Sequence, residues 1–501
     1  MSLVERLNET LRTHALLASI GELLGWDHEV CMPPAGAQHR SAVMGVFASF
    51  VHERWLKEVL PLLKEAHHHP DLTPEQQRSI AILLKDAEPT EKLPLSWVRT
   101  FSETVSLAQS IWVEARDKND FSLFAPHLER IIQLLREKAE ILGYQHEPYE
   151  ALVYLYEPSI PIQEIEKIFT ELRYFLVQVI QLCRETNLAG LNGTSLSMPA
   201  PLQRELVEKV VQQLGYDLRK GRIDTSPHPF CAGFHPEDVR ITIRIDENSL
   251  PMALFSALHE MGHALYEQGL PKEPLGWPIT YATSTSIHES QSRFWENHVG
   301  KSLAFWRYMY EKVLPAYKLP WLSYYTPLTL ARRINKISPC LIRIESDEVS
   351  YHLHIILRFE LERALINGDL SVRDLPGAWE EKVRNYLGLK VPSDKEGVLQ
   401  DIHWSMGSFG YFPTYTLGSL YAAQFAAALT QAHPDWQEAL AQGEAEIPLQ
   451  WMCKHIHAYG HLYDSQELCQ MATGETLSAR YFIQYIQAKI AQLYEGLCVP
   501  T

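Results

Sequence analysis

Apolar residues recur at every third or fourth position along most of this 501-residue chain, as in Leu3-Leu7-Leu11, Ile131-Leu134-Leu135 and Leu357-Leu361-Leu365, with charged residues between them. That spacing gathers apolar side chains on one helix face, so the fold class expected is mainly α. One segment departs from it. From Asp238 through Val239, Arg240, Ile241, Thr242, Ile243 and Arg244 to Ile245, apolar and polar residues alternate, which is the period of a half-buried strand. A small β-sheet is therefore expected among the helices. Prolines such as Pro33-Pro34, Pro158, Pro161, Pro227, Pro229, Pro339 and Pro392 punctuate the chain without opening a low-complexity linker. No internal repeat and no clear domain boundary is visible.

Composition excludes several classes. With 46% apolar and 21% charged residues the chain can build a core, and disordered or disulfide-dense classes do not fit. The 45 basic and 61 acidic residues give −16, with no lysine- or arginine-rich run to neutralise phosphates, so nucleic acid is not an expected partner. Seven scattered cysteines, with no Cys-x-x-Cys pair, read as reduced thiols. The segment Met1 to Leu24 carries Glu5, Arg6, Glu9 and Arg12, unlike a signal peptide. No stretch approaches the roughly 20 apolar residues of a membrane span. A cytoplasmic protein with no membrane association is expected.

After the strand, Asn248 or Ser249 can cap a helix from about 250 to 268, with Pro251 in its first turn and Gly269 past its end. His259-Glu260-Met261-Gly262-His263 lies inside it. Histidines four apart project from one helix face and can grip one metal ion. Glu260 then stands beside the ion, placed to take a proton from water without being a ligand. Downstream, His288-Glu289-Ser290-Gln291 sits on a stretch, Ile287 to Val299, that can form the next helix and return Glu289 to the same metal. Two histidines and one glutamate leave a fourth position open, the arrangement of a catalytic zinc. Other histidines read differently. His67-His68-His69 before Pro70 is a solvated tract, and His455, His457 and His461 include a pair with no glutamate between them and Gly460 interrupting the helix.

These motifs resemble the carboxypeptidase Taq family of zinc metallocarboxypeptidases. The family's His-Pro-Phe element is here His228-Pro229-Phe230, and its Asp-x-Arg-x-Thr runs from Asp238 to Thr242. The zinc motif and His-Glu-Ser-Gln follow. Ile342 to Asp347 and Gly397 to Trp404 resemble the two later signatures, and Trp26-Asp27 with Met32-Pro33-Pro34 the N-terminal region. The resemblance implies a large helical zincin-type peptidase, with a small sheet beside the zinc-motif helix. It further implies one catalytic domain over 1–501, two helical lobes around a deep groove, and an architecture similar to neurolysin and angiotensin-converting enzyme. It also implies a homodimer, zinc or sometimes cobalt as metal, and peptides with a free C-terminal carboxylate as substrates.

Roles follow residue by residue. His259, His263 and Glu289 are the expected ligands and Glu260 the general base. Tyr411 resembles by position the oxyanion tyrosine of related helical peptidases, His403 precedes it at a similar distance, and Tyr415 competes for the part. A free carboxylate is best met by an arginine fork. Arg343 is the first candidate, the alternative being an ion pair with Glu345 or Asp347. Arg240 is a substrate contact or a support behind the site, and His228 a substrate contact or a loop-fixing hydrogen bonder. Gln400 and Asp401 are expected to position His403, and Trp404 to be core. Where related peptidases place an aspartate one turn after the third ligand, this chain has Arg293, so the groups orienting the histidines are unassigned. The rival readings are a zinc oligoendopeptidase, with the same metal core, and a helical scaffold without chemistry, against which an intact Glu260 speaks.

Overall fold

The structure, a computed structural model, describes residues 2–185 and 195–494. It is mainly helical, with one three-stranded sheet among the described residues. The helical periods of the sequence correspond to buried faces. Leu7 and Leu11 lie inward on the helix Leu3–Val30, Ile131, Leu134 and Leu135 on Phe121–Leu142, and Leu357, Leu361 and Leu365 on Glu348–Asn367.

The chain forms two compact units, each assembled from separate stretches. Residues 2–88, 195–331 and 422–476 make the first, and 89–185, 332–421 and 477–494 the second. Because each unit gathers distant segments, no linker composition marks a boundary.

In the first unit, the sheet has the strand Asp238–Ile243 at its centre, parallel to Ile223–Thr225 and antiparallel to Cys231–His235. The strand ends at Ile243, two residues short of the alternating pattern, because the chain turns there toward the next helix. That helix, Leu250–Gly269, packs on the central strand. Ser249 occupies its N-cap but makes no side-chain cap bond, and Pro251 in the first turn needs no N–H partner. The following helix, Thr285–Arg293, is capped by Ser284 and continues as a π-helical turn, Phe294–Gly300. It begins two residues before the expected Ile287. The N-terminal helix joins this unit through a cluster of Leu7, Leu11, Leu63, Ile80 and Trp277, and the Trp277 indole N–H donates to Asn8 at 2.8 Å.

In the second unit, Glu348–Asn367 is buried nearly all round. Among the polar side chains it carries inward are His352, His354, Arg358 and Glu362, each exposed by no more than 1%. Such groups are tolerated in a core only when paired: His352 meets Thr416 Oγ1 at 3.1 Å and His354 the Cys340 carbonyl at 3.0 Å, while Arg358 and Glu362 are paired with residues of the later signature, Asp401 and Trp404.

Candidate active site

The motif helix and the helix after it approach closely, and one glycine permits it. A Cβ placed on Gly262 would lie 2.5 Å from the Gln291 carbonyl oxygen and 2.6 Å from the Ser292 Cα. No real side chain fits there. Gly262→Ala is therefore expected to push the helices apart, at a cost of about 1–3 kcal/mol in stability. Thermal unfolding should show a clear drop in Tm, together with weaker metal retention; an unchanged Tm would contradict this packing.

Through that contact Glu289 returns to the histidines. Its Oε2 lies 3.6 Å from Nε2 of His259 and 3.5 Å from Nε2 of His263, and the three prospective ligand atoms lie within 4.8 Å of one another. The hydrogen bonds behind the rings fix which nitrogen faces forward. Nδ1 of His259 meets Glu296 Oε2 at 3.0 Å, and a carboxylate can only accept, so Nδ1 carries the proton and the Nε2 lone pair is left for a cation. Nδ1 of His263 lies 2.5 Å from Nδ1 of His288, whose Nε2 is 2.9 Å from Glu267 Oε1. By the same reasoning His288 donates to Glu267 and accepts from His263. Both Nε2 atoms therefore present lone pairs beside a carboxylate oxygen, a donor set that fits one divalent ion.

Electrostatics agree. Burial and the neighbouring His288 pull the His263 imidazole down to about 3, keeping it in the neutral form a ligand needs. Burial also pulls His259 down, but Glu289 and Glu296 outweigh it and hold the ring above its ordinary value; a dication there would replace that proton. Glu289 resists the upward push of burial because Arg293 and the two histidines hold its carboxyl well below the usual range. Glu260, 7% exposed, is pushed by burial up to about 7, with His259 opposing.

The residues that sequence reasoning left unassigned are now in place. Arg293 donates to Glu289 Oε1 at 2.6 Å and to Glu296 Oε2 at 3.1 Å, and Lys301 donates to Glu296 Oε1 at 2.7 Å. Gln291 accepts from His457 Nε2 at 2.9 Å; that ring belongs to the histidine group near the C-terminus and is buried. Glu289, Arg293 and Glu296 form a stripe at i, i+4 and i+7, and Glu267 lies one turn after His263. Helical spacing would have flagged them.

The Asp-x-Arg-x-Thr strand is occupied locally. Arg240 donates to Asp238 at 2.8 and 2.7 Å and lies over the rings of Trp26 and Phe234. Thr242 Oγ1 accepts from the Phe230 N–H at 2.9 Å and contacts Ser226 Oγ at 2.6 Å, which fixes the His-Pro-Phe loop. The His228 side chain is exposed.

In the second unit, the later signatures form one buried network. Arg343, 6% exposed, donates through Nε and Nη2 to Asp401 Oδ1 at 3.0 and 2.9 Å. Its ion partner is thus Asp401 rather than Glu345 or Asp347. Arg358 pairs with the other Asp401 oxygen, and Gln400 accepts the Arg343 backbone N–H at 3.0 Å. Gln400 and Asp401 accordingly hold Arg343; Asp401 approaches His403 Nδ1 only at 4.0 Å. That Nδ1 is buried without a hydrogen-bond partner, and burial pulls the ring down to about 4, hence neutral. The His403 ring stacks on Tyr411 at 5.8 Å, and Tyr415 lies 5.2 Å from Tyr411. Glu362, which sequence reasoning missed, accepts from Tyr149 Oη at 2.7 Å, Trp404 Nε1 at 2.8 Å and Gly410 N at 2.9 Å. It ties the segment of His403 and Trp404 to the turn before Tyr411. Gly410 needs its φ of +84° there.

A helix-borne His-Glu-x-x-His with a glutamate from the next helix beside it defines a metallopeptidase class. Comparison with known proteins names the family. The family model for Carboxypeptidase Taq (M32) metallopeptidase matches residues 6–490. Thermostable carboxypeptidase 1 of Thermus thermophilus is 38% identical over 98% of each chain. Carboxypeptidase 1 of Bacillus subtilis is 35% identical over 94% of this chain and 95% of its own. The crystal structure of the M32 carboxypeptidase from Deinococcus radiodurans R1 superimposes with a TM-score of 0.94 at 34% identity, covering 99% of this chain and 100% of that one. The chain belongs to the carboxypeptidase Taq (M32) family and is a metallocarboxypeptidase. Among the described residues, no helix is long and apolar enough to cross a membrane.

Proposed function

We propose that the protein removes residues of broad identity from peptide C-termini with Zn2+ as its metal, Co2+ being a possible substitute. His259, His263 and Glu289 hold the ion. The observation that carries this reading is the pair of imidazoles whose Nδ1 protons are committed to carboxylate and histidine acceptors while Nε2 and Glu289 Oε2 converge. When bound, the ion polarises the scissile carbonyl and acidifies water. Glu260 accepts the proton of the attacking water at its carboxylate and passes it to the departing amine. Tyr411, with His403, donates to the oxygen that becomes negative. Arg343 receives the substrate carboxylate, with Gln400 and Asp401 holding it. The roles of Tyr411, His403 and Arg343 rest on motif position. Arg240 serves as a support, given its pairing with Asp238, and His228 as a substrate contact. The whole chain acts as one catalytic domain. The deciding experiment follows one unblocked peptide by mass spectrometry, with and without chelator. C-terminal shortening that stops on chelation is expected; N-terminal shortening, or insensitivity to the chelator, would contradict the proposal.

Homodimerisation is part of this reading. The helix Ala37–Arg54 buries none of its residues, and Val46 and Phe50 are 73% and 52% exposed; on the helix Leu3–Val30, which packs against it, Leu16, Ile20 and Leu23 are 44–50% exposed. Such apolar patches mark interaction surfaces. The double variant Val46→Glu, Phe50→Glu is expected to halve the mass measured by sedimentation; a monomeric parent would contradict it. A cytoplasmic location is supported by the unpaired thiols of Cys31, Cys183, Cys231, Cys340, Cys453 and Cys469. Activity should fractionate with cytosol rather than medium.

A further inference from the structure

A carboxylate ligand has two oxygens, and in this site they have different neighbours. Glu289 Oε2 faces the two imidazoles at 3.6 and 3.5 Å and accepts from the neutral Ser292 hydroxyl at 3.0 Å. Oε1 accepts from Arg293 Nε at 2.6 Å. The guanidinium is anchored at its other end as well, Nη1 donating at 3.1 Å to the Glu296 oxygen that also accepts from His259. Arg293 is only 12% exposed in its side chain and follows Glu289 by one helical turn, so its position is fixed by packing and by two ion pairs. Charge balance alone does not explain it. Glu296 already has Lys301 at 2.7 Å, and a permanent cation this close to a dication site weakens the hold on the ion by direct repulsion.

We infer that Arg293 reserves Oε1 of Glu289, so that the carboxylate offers the metal a single oxygen. The coordination positions that a two-oxygen grip would consume then stay available to water and the peptide carbonyl, on which a catalytic site depends. Arg293 is a positioning residue that acts through Glu289. This inference rests on the ligand set proposed above.

The two ideas separate in one experiment on the full chain, stripped of metal and titrated with Co2+ alone. Visible absorption reports coordination number, and competition with a chelator reports affinity. Arg293→Met frees Oε1 and removes the repelling charge. It is expected to hold Co2+ about ten-fold more tightly, the scale on which partners of ligands act. It should also show a weaker visible band as the coordination number rises, and a lower kcat with KM little changed. Arg293→Lys, whose ammonium can still hold the carboxylate, should move all these readouts back toward the parent. A purely structural role predicts the opposite sign for affinity, because a loosened site releases its ion. Equal or weaker retention of Co2+ in Arg293→Met, or an unchanged band, overturns the inference. Should Arg293→Met fail to fold, Arg293→Leu, which likewise has no donor for Oε1, is read by the same criteria. A parent that binds no Co2+, or whose binding survives His263→Ala intact, overturns the ligand set and this inference with it.

Discussion

Replacing Glu260 by glutamine is expected to leave the metal content unchanged and to lower kcat by about a thousand-fold, the middle of the range for loss of a positioned proton carrier. Glu260 lies on the motif helix between His259 and His263, yet those two and Glu289 form the converging set without it. Glutamine keeps its size and its place in the helix but cannot take a proton. Burial pushes the Glu260 carboxyl up to about 7, and a dication beside it would draw that value back down, keeping the group ionised and ready to accept near neutral pH. Metal content by mass spectrometry, read together with kcat, tests both halves. A variant as active as the parent would remove Glu260 from the reaction, and one lacking metal would make it a ligand.

The second large effect is expected from Arg343→Ala. In the folded protein Arg343 shares Asp401 with Arg358. Removing it therefore leaves Asp401 still paired, and the loss should fall mainly on substrate. For peptides with a free C-terminal carboxylate, kcat/KM is expected to fall about 100-fold, on the order of 3 kcal/mol. C-terminally amidated peptides, poor substrates of the parent, should be little affected. A parent that cleaves free and amidated peptides equally well would instead favour the oligoendopeptidase alternative.

Much of this was legible in the residues themselves. The 3.6-residue period located the helices, and the alternation after Asp238 located the central strand. The His-Glu-x-x-His spacing gave the paired imidazoles, and His-Glu-Ser-Gln supplied the returning glutamate. The failures share a cause. Partners drawn from distant segments leave no local pattern, so nothing near Gln291 announces His457, and nothing near Gly410 announces Glu362. The sequence reading that Gln400 and Asp401 position His403 does not match the hydrogen bonds. In the fold Gln400 Oε1 and the Asp401 carboxylate accept from Arg343, and Asp401 also accepts from Arg358. Two arginines buried with one carboxylate satisfy each other more fully than a neutral imidazole could. Glu296 was the avoidable miss, since it stands two turns after Glu289 on the same face, where a histidine-orienting carboxylate is commonly needed. The bounds of the two compact units were hidden for a further reason, each being assembled from segments far apart in the chain.

The central claim, that three side chains from two adjoining helices share one ion, is tested most directly by diffraction at the zinc absorption edge from crystals grown with Zn2+. The account predicts a single strong anomalous peak at bonding distance, about 2.0–2.2 Å, from Nε2 of His259, Nε2 of His263 and Oε2 of Glu289. A peak bonded to the histidines but not to Glu289, or a principal peak elsewhere in the molecule, would contradict it.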